Sequence, residues 1–430
     1  MIIPSESTNH ILLISLHGYV SAEPELGKPD TGGQVVYVLE LAKRFSRLGL
    51  RVDVVTRRFE DQPEFDVVNE NLRVWRIPFG GKAFIRKEDM HDHVPDFVTN
   101  LLAAIRSRRH HYDIVYSHYW DAGWAGQKIA EGLEIAHVHT PHSLGWWKQQ
   151  TMGVDMDPAE MEQKYRFEER IRKEFLVYQM CDQVIATTEP QAELLLKHYD
   201  LLDRRLTVVP PGINEDRFSP VRKEESRKLQ EKYGMQPHDV LTLGRMAHNK
   251  GYDLLLQALP VLFELVPDAR LVAAIGGEGA EQDKLGIAKL KRQAKDLGIA
   301  QKIKWVNYVP DEDLSNYYRA AAVFAMPSRY EPFGMVAIEA MACGTPTVVT
   351  VHGGLVDLIG FGQHALYADP NRPAEWGALL AMPMLYPGLA LQLSVEGARF
   401  ARRNFGWTGI AKKQLAVFNR VKQRRKEELV

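Results

Sequence analysis

The sequence has two cysteines, Cys181 and Cys343, each in an apolar context. They read as small buried hydrophobes, and so sparse a usage fits a reducing cytosol rather than a disulfide scaffold. A net charge of -1 gives no electrostatic ground for nucleic acid or an anionic membrane as partner. No apolar run reaches transmembrane length. The start, Met1 to Glu6, lacks the charged and then apolar pattern of a signal peptide. There is no internal repeat and no low-complexity stretch. The dinucleotide fingerprint Gly-x-Gly-x-x-Gly is missing, which disfavours a dehydrogenase. The Gly-Lys-Ser/Thr of a P-loop is missing too. What remains is an ordinary globular composition in 430 residues, enough for two domains.

Short apolar runs alternate with stretches of helical spacing along both halves. In the first half the runs are Ile11–Leu16, Val52–Thr56, Val74–Pro78, Ile114–Ser117, Val184–Thr187 and Leu206–Pro210. In the second they are Val240–Leu243, Leu271–Ile275, Ile303–Val306, Ala321–Met326 and Pro346–Thr350. Repeated strand–helix–strand units predict an α/β protein with parallel sheets, in two Rossmann-like doubly wound domains. The stiff run Pro210-Pro-Gly-Ile-Asn214 marks a linker. The expected division is 1–215 for the first domain and 216–404 for the second.

The motifs sit in the loops that follow strands. In Ser328-Arg-Tyr-Glu-Pro-Phe-Gly-Met335, the loop runs into a helix predicted over Met335–Ala342 and closed by Gly344. A helix N-terminus with free N–H groups is an anion site. Glu331 lies on that loop and Glu339 about two turns into the helix. They could equally be a cap and a solvated helix residue. Gly244-Arg-Met-Ala-His-Asn-Lys-Gly251 places Arg245 and Lys250 where both reach a diphosphate, or leaves them as a solvated basic loop. Asp30-Thr-Gly-Gly-Gln34 puts glycines before a helix, where backbone can approach an anion closely.

Histidines 137, 139 and 142 invite a metal reading, since 137 and 139 share a strand face. Pro141 breaks the geometry and no acidic or cysteine partner is near, so no metal is expected. His118 and Asp121 follow a strand, where α/β ligands bind, or are structural. A helix predicted over Pro158–Met180 carries Arg166 and Arg170 on one face; ion pairs with Glu162, Glu169 or Glu174 are the alternative use. The basic run Lys412–Lys426 reads as a solvated helix face.

Tyr330-Glu-Pro-Phe-Gly334, followed by Glu339-Ala-Met-Ala-Cys-Gly344, resembles the Glu-x7-Glu motif of the retaining, sucrose-synthase-like glycosyltransferases (family 4). The resemblance extends over nearly the whole chain through Gly27-Lys-Pro-Asp-Thr-Gly-Gly-Gln34, His142-Ser-Leu-Gly145 and the Gly-Arg-x-x-x-x-Lys-Gly run. It implies the GT-B architecture, with the two domains facing a cleft and a final helix, about 405–430, crossing back onto the first. It implies His142, Arg245, Lys250 and Glu331 at the reacting centre. Donor contacts are implied for Gly33, Gly244, Gly276, Val309, Leu314, Phe333, Gly334, Met335 and Glu339, the last on the ribose. Acceptor contacts are implied for Gly32, Gln34, Lys87, His118, Lys148, Arg166 and Arg170, four of these being cations on one phosphate.

The resemblance points to a hexose transferred from a nucleotide sugar to fructose 6-phosphate, with no cofactor and no metal. Two activities in the family share these motifs. Sucrose-phosphate synthase, using UDP-glucose, is the first expectation. Mannosylfructose-phosphate synthase, using GDP-mannose, is the alternative, favoured by Thr56-Arg-Arg-Phe-Glu-Asp-Gln-Pro-Glu-Phe65 and Thr140-Pro-His-Ser-Leu-Gly-Trp146. A sugar-nucleotide epimerase or a sugar-phosphate sensor would use the same fold differently. A cytoplasmic enzyme is expected; oligomeric state is open.

Overall fold

The computed structural model describes residues 8–22, 33–152, 157–276, 281–306, 309–329, 331 and 333–428. Two compact units partition the chain: Met1–Gly212 with Trp407–Val430, and Ile213–Gly406. In the first unit eight strands form one sheet. They are β1 (His10–Ile14), β2 (Arg51–Arg58), β3 (Phe65–Asn69), β4 (Leu72–Pro78), β5 (Ile114–His118), β6 (Ala136–Thr140), β7 (Gln183–Ala186) and β8 (Leu206–Val208). Their order is β3-β4-β2-β1-β5-β6-β7-β8. The second unit has β9 (Asp239–Gly244), β10 (Arg270–Ile275), β11 (Ile303–Val306), β12 (Val323–Met326), β13 (Thr347–Thr350) and β14 (Leu366–Ala368). There the order is β11-β10-β9-β12-β13-β14.

The apolar runs are continuous because helices cover both faces of each sheet. Successive residues of β1 serve opposite cores. Ile11 and Leu13 join the cluster with Val38, Phe45 and Phe418, whereas Leu12 and Ile14 join the one with Phe97 and Ile129. The same alternation sends Val240 and Leu241 of β9 to different clusters.

The parallel reading holds with one exception. β3 pairs antiparallel with β4 at the sheet edge. The turn between them is tight, with the Asn71 N–H donating to Asn69 Oδ1 at 2.9 Å, so the chain has no room for a crossover.

The last helix, Trp407–Glu428, packs in the first unit. Trp407, Ile410, Phe418 and Val421 enter its core, and Gln414 donates to the Tyr37 hydroxyl at 2.7 Å. The basic run is thus only partly solvated. Lys422 pairs with Asp113 at 3.1 Å and Arg425 with Asp182 at 3.3 Å, while Lys412 and Arg420 stay exposed. Among the described residues no single helix is long and apolar enough to cross a membrane.

Candidate active site

In each unit the strand order turns back at one place. In the first it lies between β1 and β5, and in the second between β9 and β12. Loops leaving such neighbouring strands diverge and open a crevice at their carboxyl ends, where α/β proteins bind ligands. The motifs fall there.

In the second unit, Gly244-Arg245 leaves β9 and Pro327–Glu331 follows β12. The two loops are sewn together. The Arg329 N–H donates to Asn249 O at 2.8 Å, and its guanidinium clasps both Asp253 oxygens at 2.8 and 2.6 Å. Lys250 Nζ lies 2.6 Å from Glu331 Oε2, which also accepts from Ser328 Oγ at 3.2 Å. Arg245 is exposed beside them. Gly251 has φ +67°, and a Cβ there would fall 2.0 Å from Pro327 O, so glycine is required for the close approach.

Gly334 (φ +88°) starts the helix Met335–Ala342. Phe333 is buried edge-on against Phe405, and Met335 is half-buried at the helix start. Glu339 accepts from the Tyr318 hydroxyl at 3.0 Å, and burial raises its pKa to about 7. Gly276 continues β10, its N–H donating to Gly244 O at 3.0 Å. Val309 and Leu314 pack part-buried on the core that holds Phe333.

In the first unit, Gln34 is the second residue of the helix Gly33–Arg47 and donates to Ser15 Oγ at 3.3 Å and weakly to His118 O. Gly32 lies outside the described residues. His142 has φ +59°, unusual for a side chain of its size, and lies edge-on to Tyr37. Burial lowers its pKa to about 3, so the ring is neutral at pH 7. Its Nε2 is 2.9 Å from His118 Nδ1. His118 is fully buried, so in this structure it supports His142 instead of reaching a ligand itself. His137 and His139 both turn to Ser117 Oγ, at 2.7 and 2.8 Å.

Three of the four expected phosphate ligands meet. Lys87, Lys148 and Arg170 line one cavity of about 140 Å³, with Tyr119, Phe167 and the carboxylate Glu88. Arg170 donates to the Tyr119 hydroxyl at 2.9 Å and is held by buried Glu174 at 2.7 Å. Burial and the neighbouring Arg170 and Lys87 charges bring Lys148 down to about 8.

Arg166 is not in this group. The expected helix breaks at Arg166, whose φ is +51°, into Pro158–Tyr165 and Phe167–Met180. Glu162 accepts from the Glu168 N–H across the break. The break rotates Arg166 off the face of Arg170, and it pairs with Asp92 at 2.7 Å and Glu169 at 2.9 Å.

Several supporting residues escaped the sequence reading. Arg329 and Asp253 tie the two loops of the second unit. His17 is another: its Nδ1 lies 2.9 Å from Oδ2 of buried Asp121, a residue the sequence already places after a strand. Only their position after strands could have flagged them.

Two family models match the chain. "Glycosyltransferase Family 4" covers residues 31–217, and "Glycosyl transferases group 1" covers 222–387. The chain is 49% identical to the mannosylfructose-phosphate synthase of Agrobacterium fabrum, over 96% of this chain and 92% of that protein. It is 32% identical to a D-inositol 3-phosphate glycosyltransferase of Xylanimonas cellulosilytica, over 98% of this chain and 99% of that one. Among solved structures, sucrose-phosphate synthase from Thermosynechococcus elongatus superposes with a TM-score of 0.72 at 26% identity, covering 96% of this chain and 99% of that one. The motif-bearing loops, the two Rossmann-like sheets and these relatives agree: the chain belongs to glycosyltransferase family 4 and has the GT-B fold.

Proposed function

We propose that the protein is a mannosylfructose-phosphate synthase, moving mannose from GDP-mannose to fructose 6-phosphate with retention of configuration. The observation that carries the acceptor is the cavity where Lys87, Lys148 and Arg170 converge. A phosphate monoester is the small-molecule group that answers three cations in so small a space. The hexose assignment is supported by the 49% identity to the Agrobacterium fabrum enzyme, which reverses the order of the two activities expected from sequence.

In this reading each unit has its own part. Arg245 and Lys250 neutralise the diphosphate as it leaves, which stabilises charge that develops only in the transition state. A helix N-terminus at Gly334–Met335 adds its dipole. Glu339 takes the ribose hydroxyls. Glu331 and neutral His142 orient the hexose. The acceptor hydroxyl attacks the anomeric carbon on the face from which the diphosphate departs, and an oxygen of that phosphate takes the hydroxyl proton. No covalent glycosyl-enzyme is invoked.

A second reading, sucrose 6-phosphate synthesis from UDP-glucose, draws on the structural likeness to the Thermosynechococcus elongatus enzyme. The test is a turnover matrix followed by mass spectrometry, with EDTA present. It crosses GDP-mannose, GDP-glucose, UDP-glucose and ADP-glucose with fructose 6-phosphate, fructose and inositol 3-phosphate. A hexosyl-fructose phosphate from GDP-mannose alone is expected. Product from UDP-glucose alone moves the protein to the second reading. Turnover of free fructose in preference to its phosphate would sink the phosphate cavity.

A further inference from the structure

Arg57, at the end of β2, is 1% exposed, and among the described residues no carboxylate pairs with it. A buried guanidinium without a counter-charge is costly unless its N–H groups are satisfied otherwise. Here Nε and Nη2 are satisfied by backbone. Nε donates to Phe79 O at 3.0 Å, and Nη2 lies 3.0, 3.0 and 2.8 Å from the carbonyls of Gly80, Gly81 and Ala83. The remaining carbonyl of the run, Lys82 O, accepts from the Glu60 N–H at 2.8 Å. Five consecutive carbonyls are thus held from outside the segment. Gly80 and Gly81, at φ +64° and +77°, allow the turn that aims them at one cation.

This segment continues to Lys87 and then to a second anchor. His91 is buried, with Nε2 2.8 Å from Glu169 Oε2. Asp92 accepts from Arg166, which also holds Glu169, and Lys173 reaches Glu169 at 3.1 Å. His91, Asp92 and Glu169 gather as metal ligands would, but Arg166 and Lys173 already neutralise the two carboxylates. Glu169 adjoins Arg170 on the helix Phe167–Met180. The stretch 79–93 is therefore a strap. One end is fixed on the sheet by Arg57, the other on the helix that carries Arg170, and Lys87 lies between the anchors.

We propose that Arg57 and Arg166 are positioning residues for the anion cavity: built-in cations that fix both ends of the strap and so hold Lys87 opposite Lys148 and Arg170. Neither touches the ligand; both set its affinity. The inference rests on the reading of that cavity as the acceptor-phosphate site.

The geometry makes a sharp demand on Arg57. Its planar fork spreads donors over four carbonyls, and a lysine ammonium offers three donors from one point. Arg57→Lys keeps charge and approximate length and loses the fork. Arg166→Gln removes the cation at the second anchor and, being part-exposed, leaves the core alone. In steady-state assays of the full chain, each variant is expected to raise the KM for fructose 6-phosphate about tenfold or more, the donor KM staying within about twofold. The preference for fructose 6-phosphate over fructose should shrink in parallel, and Arg166→Lys should recover part of the loss. An acceptor KM left unchanged in a folded variant, or acceptor and donor KM rising together, overturns the proposal. If Arg57→Lys does not fold, Arg166→Gln decides alone. Lys87→Ala and Lys148→Ala are measured alongside. If they leave the acceptor KM unchanged, the reading of the cavity fails; if they raise it and the two arginine variants do not, only the positioning role fails.

Discussion

Lys250 Nζ and Glu331 Oε2 are 2.6 Å apart, on two loops that leave neighbouring strands. A cation assigned to a leaving diphosphate is thus already paired with a carboxylate assigned to the hexose. An incoming diphosphate competes with Glu331 for Lys250, and the two side chains act as one unit. Lys250→Ala is expected to lower kcat on the order of 10²–10³-fold. Glu331→Gln should also be severe, because it removes the carboxylate proposed to orient the hexose and loosens the pairing that fixes the position of Lys250. The double variant should lose about as much as the worse single one, the signature of coupled residues. Release of nucleoside diphosphate, followed in a coupled assay, measures all three.

Glu339 titrates at about 7 because it is buried, and a hydrogen bond from Tyr318 only partly offsets that burial. In its proposed role, Glu339 would accept ribose hydroxyls as the ionised form. Its raised pKa means that this form predominates above pH 7 and is lost as the pH falls below 7. The donor KM should therefore rise toward pH 6 and level off above pH 8, with acceptor KM following its own profile. Glu339→Gln should raise the donor KM throughout and flatten this dependence. A donor KM independent of pH in the wild type would remove Glu339 from the ribose.

The sequence displayed the elements whose signal is local. The helix Met335–Ala342 was legible because its seven apolar residues and Glu339 stand between Gly334 and Gly344. Buried strands such as β12 showed as apolar runs ahead of polar loops. The half-exposed edge strand β3 carries no such run, and β14 is only three residues long; both were missed. The break at Arg166 left no mark either, since arginine in a left-handed conformation is neither glycine nor asparagine. Its consequence is long-range: it decides that Arg166 turns to Asp92. Arg57 shows the same limit. In the string Thr56-Arg-Arg-Phe it looks like any strand-end charge, and only folding brings it beneath carbonyls some twenty residues onward.

Lys148 predicts a proton-linked acceptor affinity. Burial, Arg170 and Lys87 bring its pKa to about 8, so in the free protein it is cationic below 8 and increasingly neutral above. A phosphate dianion favours the cation and pulls its pKa upward. Near pH 8, fructose 6-phosphate binding should therefore take up a fraction of a proton. Calorimetry in buffers of different ionisation enthalpy reads this directly, and Lys148→Met should abolish it. Acceptor affinity should fall as pH rises through 8. Loss of one such charged hydrogen bond costs about 1.5–3 kcal/mol, so Lys148→Met should raise the acceptor KM by roughly 10- to 150-fold.

Gly353 tests whether the placement of Glu331 depends on backbone contact as well as on its ion pair. Glu331 donates its N–H to His352 O at 2.9 Å, and a Cβ on Gly353 would fall 2.2 Å from Glu331 O. Carbon and oxygen cannot approach so closely, and the obstacle is backbone, which cannot swing aside as a side-chain tip can. Gly353→Ala must therefore push the Glu331 loop away from the segment that holds it. The shift acts on Glu331 and, through the 2.6 Å ion pair, on Lys250. An ångström of displacement at a reacting centre costs about 10²-fold. The expected result is a kcat lower by about that factor, with the circular dichroism spectrum retained and the melting temperature reduced by a few degrees, as about 1 kcal/mol of strain would give. Gly388→Ala is the matched control. It lies in the first turn of the helix Pro387–Phe405 with no atom within 4 Å of the added methyl, and should leave kcat alone while stabilising the fold by up to about 1 kcal/mol. Wild-type kcat in Gly353→Ala would mean that the side-chain contacts from Lys250 and Ser328 hold Glu331 in place without the backbone contact.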